Sequence, residues 1–398
     1  MSAAAAELGT AFPDPVVQQY SLKANDVAAI VAELHRLGLG ANVVSSGEWA
    51  IARRAGVPDE RVSLEGIGKT EGDLRAAARA AAGGHPPAWL AVESPEEADR
   101  VVRLAQRAGL GHAGRPPLEL LFRLNPDVAP ETSSGLAVGS GGSKFGMTET
   151  ELTSVVERVA AEAGGAVVAR GIHLHVGSQL GAIDAWRDAV RRGLALLALV
   201  RGGLDEFDTL DLGGGFPVPP FGQRGPRPGH FAAALASLLD VVPADRRPRR
   251  LAVEPGRFLV ARAGVLVARV LHVRERGGRQ VVLDAGMTEL VRPALYGARH
   301  EVVALTSLGR PLDAPAGHVP DETPATVEGP ICESTDHLGE HLLPALRRGD
   351  LVAIRDAGAY AASFASSYNG RPRPPQVLLD GDGSLRLGRR RGRTVDLG

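Results

Sequence analysis

Cysteine is almost absent from this sequence: Cys332 is the one thiol in 398 residues. A lone cysteine excludes an internal disulfide and fits a reducing compartment. Long apolar runs are missing as well, since no stretch approaches the roughly 18 residues that a membrane-spanning helix needs. Net charge is also lacking, with 45 Lys and Arg against 46 Asp and Glu, a formal balance of −1. That balance offers no electrostatic case for nucleic acid or an anionic membrane surface. The basic run "GRRRGR", Gly388 to Arg393, reads as a solvated terminus. The opening "MSAAAAELGTAFPDP" has no basic segment followed by a continuous apolar one, so a secretory signal is not expected. These absences predict a cytoplasmic protein that binds neither nucleic acid nor membrane.

What is present is an ordinary globular balance, 44% hydrophobic and 23% charged. The length exceeds one typical core, so a large domain plus a smaller one is expected. Eight short β-type runs alternate with amphipathic stretches: Val16–Leu22, Ala41–Val44, Arg61–Leu64, Ala88–Val92, Leu118–Leu124, Val167–Leu174, Phe207–Leu212 and Leu251–Val253. Helical patterns such as "PEEADRVVRLAQRAG" lie between them. Strands alternating with helices imply parallel βαβ units. Eight units over roughly 250 residues match a (β/α)8 TIM-like barrel better than a doubly wound open sheet. After Gly264 the chain turns β-rich, in "GVLVARVLHVRE", "RQVVLDAG" and "DLVAIRDAG". The expected domains are therefore 1–260, a barrel, and 261–398, mainly β, a sandwich or open barrel. Gly309–Pro330, rich in Pro, Asp and Gly, reads as a long loop or irregular hairpin.

In a barrel the chemistry gathers at the C-terminal strand ends. The first strand hands over through "SLKAN" to a helix expected to open at Asn25 or Asp26, with Lys23 at the junction. Taken by itself, Lys23 reads as an ordinary surface turn lysine. Strand six ends in "HLHVGSQ", strand seven in "DLGGGFPV" and strand eight in "EPGRF". Gly213, Gly214 and Gly215 are either a plain tight turn or a place where backbone N–H groups approach an anion. Arg257 adds a charge-assisted contact, and together they point to a phosphorylated ligand. Pyridoxal 5'-phosphate would explain the rest. It needs an amine to hold it, a phosphate cradle and a partner for its pyridine nitrogen. Glu254 offers that carboxylate, or else it pairs with Arg257. His175 lies against the ring, or else is an ordinary hydrogen-bonded histidine. No metal is called for.

These motifs resemble those of the fold-III pyridoxal phosphate-dependent decarboxylases, the group containing diaminopimelate, ornithine and arginine decarboxylases. The resemblance runs in order from Tyr20 to about Arg371. It implies an alanine-racemase-like barrel with a β-sandwich or β-barrel domain behind it. "YSLKAN" is similar to the family's Schiff-base motif, which gives Lys23 that role. "HLHVGSQ" resembles its ring-stacking segment, with His175 stacked and Ser178 near the phosphate. "GGGF" and "EPGR" resemble the phosphate loop and the pyridinium partner. "ICESTD", residues 331 to 336, resembles the family's Cys-Glu-Ser motif, which implies that Cys332 reaches the neighbouring subunit's site and protonates the decarboxylated carbon. A buried small hydrophobe is the plain alternative for that cysteine. "GAYAASFASSYNGRP" resembles the closing aromatic segment, with Tyr360 near cofactor and substrate. Sites shared between chains imply a homodimer.

The stretches "GLGANVVSSGE", "LFRLNPDV" and "SKFGM" lean towards the diaminopimelate branch, as does "RPALYGARHEV". There Arg292 and Tyr296 would bind the distal carboxylate of the substrate, and Glu333 its distal ammonium. A guanidinium suits a carboxylate, although Arg292 and Tyr296 also read as a domain-interface pair. Two departures stand out. The 19 residues before Tyr20 show neither the extra strand that relatives add to the β domain nor the helix that precedes their lysine strand. "GGGFPVPP" departs from the pattern of lysine-forming enzymes. The expected activity is α-decarboxylation of diaminopimelate. Alternatives are a specialised decarboxylase of carrier-bound glutamate or a citrate-conjugated diamino acid, a fold-III racemase, and a non-catalytic cofactor-binding relative.

Overall fold

The computed structural model describes residues 1–132, 136–139, 142–220, 222–305 and 322–396. Chain contacts divide it into two compact units, Met1–Pro217 with Arg224–Phe258, and Val218–Gln223 with Leu259–Gly398. No helix among the described residues is long and apolar enough to cross a membrane.

The first unit is a closed barrel of eight strands in sequence order. The strands are β1 (Val17–Ser21), β2 (Gly40–Val43), β3 (Val62–Leu64), β4 (Trp89–Val92), β5 (Leu118–Arg123), β6 (Val167–His173), β7 (Thr209–Asp211) and β8 (Arg250–Val253). Every neighbouring pair is parallel, and β1 closes on β8 through Val17 with Ala252 and Gln18 with Val253. A strand covered on both faces should be apolar throughout, and β4, "WLAV", is buried at every position.

The helices between the strands begin where their sequences supply caps. α1 (Ser2–Ala11), α2 (Ala28–Arg36), α3 (Ser46–Arg54), α4 (Glu71–Ala82), α5 (Pro95–Arg107), α6 (Glu149–Glu162), α7 (Asp184–Arg201) and α8 (Pro228–Asp240) complete the unit. Thr70 with Asp73 and Thr148 with Glu151 form capping boxes, each satisfying two otherwise orphaned N–H groups. Ser94 caps α5, whose first residue is Pro95 and whose buried stripe is Ala98, Val101, Val102, Leu104 and Ala105.

α1 corrects the expectation that no helix precedes the lysine strand. The alanine-rich opening is a good helix former, and Leu8 with Phe12 at its end is fully buried. Phe12 meets Phe216 edge-on at 5.7 Å, Phe216 meets Phe231 at 5.0 Å, and Phe231 meets Trp186 at 5.2 Å. This aromatic run ties α1, α7 and α8 to the residue that follows the triple glycine.

The second unit is mainly β, as its β-rich sequence predicts. β9 (Leu266–Glu275), β10 (Arg279–Leu283), β11 (Val302–Leu305), β12 (Thr323–Glu328), β13 (His337–Leu343) and β14 (Leu351–Ile354) form a six-stranded sheet in the order β11-β14-β9-β10-β12-β13. Its pairs are antiparallel apart from β10 with β12. Val270, Val281, Leu283, Val327, Val352 and Ile354 are at its core. β15 (Gln376–Leu379) and β16 (Leu385–Arg389) make a separate hairpin. The loop expected over Gly309–Pro330 is corrected in part. Thr323–Glu328 is strand, because Ala325 and Val327 alternate inward against β10, while 309–321 lies outside the described residues.

Phe231 is the middle of the aromatic run. Phe231→Ala is expected to lower stability by about 3–5 kcal/mol, read as a fall in the urea midpoint with an unchanged slope.

Candidate active site

The junction at Lys23 is built by β1 and its neighbour β8. Ser21 N–H donates to the Pro255 carbonyl at 3.1 Å, and Ser21 Oγ donates to the Glu254 carbonyl at 3.2 Å. A single 3₁₀ turn, Leu22–Ala24, follows at once and carries Lys23. The helix does not open at Asn25 or Asp26 as the sequence suggested. Asn25 is extended, and its side chain accepts from the Val27 N–H at 3.2 Å, so α2 starts at Ala28. Tyr20 Oη donates to the Asn25 carbonyl at 2.9 Å and clamps the turn. Lys23 is thereby held half-buried at the barrel end. Its ammonium is near enough to Glu48, Glu65, His175 and Glu254 to bear on the protonation of all four.

The triple glycine lies against the same end. Gly213 and Gly215 have φ of 68° and 103°, the region that disfavours any side chain. A Cβ on Gly213 would sit 2.1 Å from the Leu174 carbonyl oxygen, and one on Gly214 would sit 2.6 Å from that of Glu254. Gly213 N–H donates to Asp211 Oδ1 at 2.9 Å, and Gly214 N–H donates to His175 Nδ1 at 3.2 Å. With Nδ1 accepting, the ring proton of His175 is on Nε2. Burial, reinforced by the positive charges of Lys23, Arg123 and His173, pushes the His175 pKa well down and keeps the ring neutral. Arg257 Nη2 donates to Ser178 Oγ at 3.0 Å, so these two groups are also brought together.

Beneath these groups is a polar cluster that sequence reasoning missed, apart from Glu254. Asn42 Nδ2 donates to Glu254 Oε1 at 2.8 Å and Trp89 Nε1 to Glu65 Oε1 at 3.2 Å. His173 Nε2 lies 3.3 Å from Glu65 and 3.4 Å from Glu254. Burial raises the Glu254 pKa well above the usual carboxylate range, and the charge of Glu65 adds to the rise. Asp211 is raised for the same reasons, burial first and then Glu254 and Glu65. Burial pushes Glu65 up too, but the His173 charge, hydrogen bonds from Glu254 and Asn42, and Lys23 outweigh it and hold Glu65 at about 2. Beside them Arg123 Nη1 bonds Glu93 Oε1 at 2.6 Å, both buried, with Gly146 N–H donating to the other Glu93 oxygen at 3.0 Å. The sequence signal for these residues was a polar side chain at or just past the end of an otherwise apolar strand.

A cavity of about 1030 Å³ opens at the opposite, N-terminal strand ends, among them Gln19, Gly40, Trp89, Glu119 and Arg250. Arg170 and Arg250 pair with Glu119 there, and no lysine lines it. That end reads as stability, whereas the Lys23 end has the donor set for pyridoxal phosphate. It offers an amine, a glycine turn with Ser178 and Arg257 for a phosphate, a neutral imidazole, and a buried carboxyl for a ring nitrogen.

The remaining expected residues belong to the second unit. Cys332 and Glu333 are exposed on the loop before β13, where Tyr368 Oη donates to Glu333 Oε1 at 2.6 Å. Asp336 holds that loop by accepting from Met287 N–H at 2.6 Å and Ile331 N–H at 2.8 Å. Arg292 is buried and donates to His300 Nε2 at 3.0 Å, while His300 Nδ1 donates to the Arg355 carbonyl at 2.8 Å. Tyr296 is half-buried on the same short helix as Arg292. Tyr360 has φ of 56° and packs on Phe364 at 5.9 Å.

Comparison with known proteins agrees with this donor set. Residues 1–261 match the family described as "Pyridoxal-dependent decarboxylase, pyridoxal binding domain". The diaminopimelate decarboxylase of Aquifex aeolicus is 34% identical, over 96% of this chain and 84% of that protein. That of Pseudomonas aeruginosa is 36% identical, over 93% and 83%. The crystal structure of diaminopimelate decarboxylase from Helicobacter pylori complexed with L-lysine superposes with a TM-score of 0.87 at 28% identity, covering 99% of this chain and 92% of that one.

Two outcomes follow from the buried charges. Glu93→Gln leaves the Arg123 guanidinium without its counter-charge and is expected to cost about 3–5 kcal/mol in denaturant unfolding. Glu254 and Asp211 hold their protons to a higher pH folded than unfolded. Their contribution is therefore complete below the ordinary carboxyl values near 4 and is lost as pH rises through the raised folded values. The cofactor-free chain should melt progressively earlier as pH rises above about 4–5, and Glu254→Gln should flatten that fall in a thermal melt series.

Proposed function

Since the chain belongs to the pyridoxal-dependent decarboxylases, we propose that it removes the α-carboxylate of meso-diaminopimelate and releases lysine, acting as a cytoplasmic homodimer with shared active sites. The enzyme is a pyridoxal phosphate-dependent carboxy-lyase. One observation carries the reading. Lys23, His175, the Gly213–Gly215 turn, the Ser178–Arg257 pair and Glu254 come from four different strand ends and meet at one end of the barrel.

Bound pyridoxal phosphate supplies a conjugated ring that takes up the electrons of the breaking Cα–carboxylate bond. The chain's own residues do the rest. Lys23 holds the cofactor through its amine and gives way to the substrate amine. His175, neutral and fixed by Gly214 N–H, would lie against the ring face without adding charge to it. The Gly213–Gly215 turn, whose Gly213 and Gly214 N–H groups are given to Asp211 and His175, would leave its side-chain-free backbone open to the phosphate, with Ser178 and Arg257 completing the cradle. Glu254 would pair with the ring nitrogen and favour its protonated form, which suits carboxylate loss over racemisation. Cys332 delivers the proton to the α-carbon, and Tyr360 borders cofactor and substrate. Arg292 and Tyr296 take the distal carboxylate, and Glu333 the distal ammonium.

A second reading keeps the chemistry and changes the substrate. Arg292 donates to His300, and Glu333 accepts from Tyr368. Both groups assigned to the distal end of the substrate thus have protein partners. Carrier-bound glutamate or a citrate-conjugated diamino acid would draw on them differently.

Carbon dioxide release from meso-diaminopimelate, with lysine as product and pyridoxal phosphate added, is the expected result. An intact cofactor absorbance with no release moves the substrate to the second reading. Lys23→Ala should lose the bound cofactor's visible absorbance together with turnover. Cys332→Ala should keep the absorbance while turnover falls by about 10²–10⁴-fold, the usual loss for a removed general acid. Unchanged turnover removes the proton-donor role.

A further inference from the structure

The barrel end holds more buried acid than the cofactor reading employs. That reading uses Glu254, yet Glu65 is 4% exposed and Asp211 0%, and both belong to the same cluster. Glu65, His173, Asp211 and Glu254 each bring one atom to within 4.8 Å of the others. They come from β3, β6, β7 and β8. The groups that face them are Lys23 after β1, Asn42 on β2, Trp89 on β4 and Arg123 on β5, the last neutralised by Glu93.

The Glu65 and Glu254 side chains each bring a carboxylate oxygen to within 4.8 Å of the other. Their Oε1 atoms accept from Trp89 and Asn42, while each Oε2 faces the same nitrogen, His173 Nε2, at 3.3 and 3.4 Å. One ring nitrogen carries one hydrogen, so it cannot satisfy both carboxylates. Two ionised carboxylates this close, away from water, repel strongly, and the usual resolution is one proton held by the pair. Asp211 Oδ2 is buried with no hydrogen-bond partner among the described residues, which adds a third acid to the same dry space.

We propose that Glu65 is a positioning residue for the ring-nitrogen contact. It shares one proton with Glu254, so that the pair carries a single negative charge, and that proton is the one offered to the pyridine nitrogen. Glu254 then breaks its O–H bond as the N–H bond forms on the ring, and keeps the negative charge facing it. Glu65 keeps its own charge in this exchange, with His173 Nε2 3.3 Å away. No proton need enter from solvent for this contact. The inference rests on the cofactor reading above and extends it to a residue that reading leaves unused. Glu65 would be a packing partner of Trp89 and nothing more if the proton were not shared.

The test begins with the cofactor-free full chain. Its infrared spectrum should show the carbonyl stretch of a protonated carboxylic acid at about pH 7, well above the ordinary carboxyl range. Part of that band should vanish in Glu254→Gln. In Glu65→Gln the midpoint of that part should fall by about one pH unit or more, because the neighbouring charge is gone. Glu65→Asp, which keeps a carboxylate, should retain the raised midpoint. Calorimetric binding of pyridoxal phosphate in two buffers of different ionisation enthalpy gives a second readout. Near pH 8, Glu65→Gln should take up about one more proton per cofactor than the wild type. Equal proton uptake, no Glu254-dependent band in the wild type, or a stoichiometric divalent cation in the purified chain each overturn the proposal. Should Glu65→Gln fail to fold, the wild-type and Glu254→Gln titrations still decide it. A wild-type chain that binds no pyridoxal phosphate overturns the cofactor reading instead, and the infrared titration then judges the shared proton separately.

Discussion

Closure of the barrel between its first and last strands is the constraint on which the site depends. Val17 pairs with Ala252 and Gln18 with Val253, and Ser21 reaches the carbonyls of Glu254 and Pro255. Those few backbone bonds set the lysine turn beside the carboxyl that follows β8, across a sequence separation of 233 between Ser21 and Glu254. Parallel pairing all round the ring then sends every strand's C-terminal end to the same side. An open sheet of the same eight strands would separate Lys23 from Glu254 by its full width.

Gathering strand ends also gathers charge, and a dry site tolerates charge only when it is paired or neutralised. The structure uses both solutions. Arg123 and Glu93 form an ion pair with further support from Gly146 N–H. His175 gives up its charge, because burial first, and then the nearby Lys23 and Arg123, favour the neutral ring. Glu254 and Asp211 are likewise pushed towards their protonated forms. A cofactor whose ring nitrogen is basic and whose phosphate is acidic meets these groups with opposite needs. The same end of the barrel therefore places a buried carboxyl at one edge and the glycine turn with Ser178 and Arg257 at the other.

Much of this was readable one segment at a time. A triple glycine after a strand, a lysine where a strand gives straight into a turn, and "EPGR" after the last strand each carry a local signal. Their order along the chain identified the family. The partners of Glu254 had no such signal. Asn42, Glu65 and His173 lie in unrelated segments, and each reads alone as a polar residue at a strand end. N-terminal α1 escaped detection because its helix-forming alanines carry a weak amphipathic pattern, and burial of Leu8 and Phe12 depends on α8. Thr323–Glu328 was hidden by Pro324, a residue that usually interrupts strands. Its pairing with β10 on one side and β13 on the other overrides that preference.

The sequence by itself determined the alternation of eight strands with helices, the β-rich remainder, and the motifs that mark a pyridoxal-dependent decarboxylase. These are local properties: periodicity, turn chemistry and motif. The tertiary structure alone decided which carboxyls lie together, which imidazole is neutral and where α2 begins. Protonation depends on burial and on charges brought from distant segments, and no linear spacing encodes a distance of 3.3 Å between His173 and Glu65.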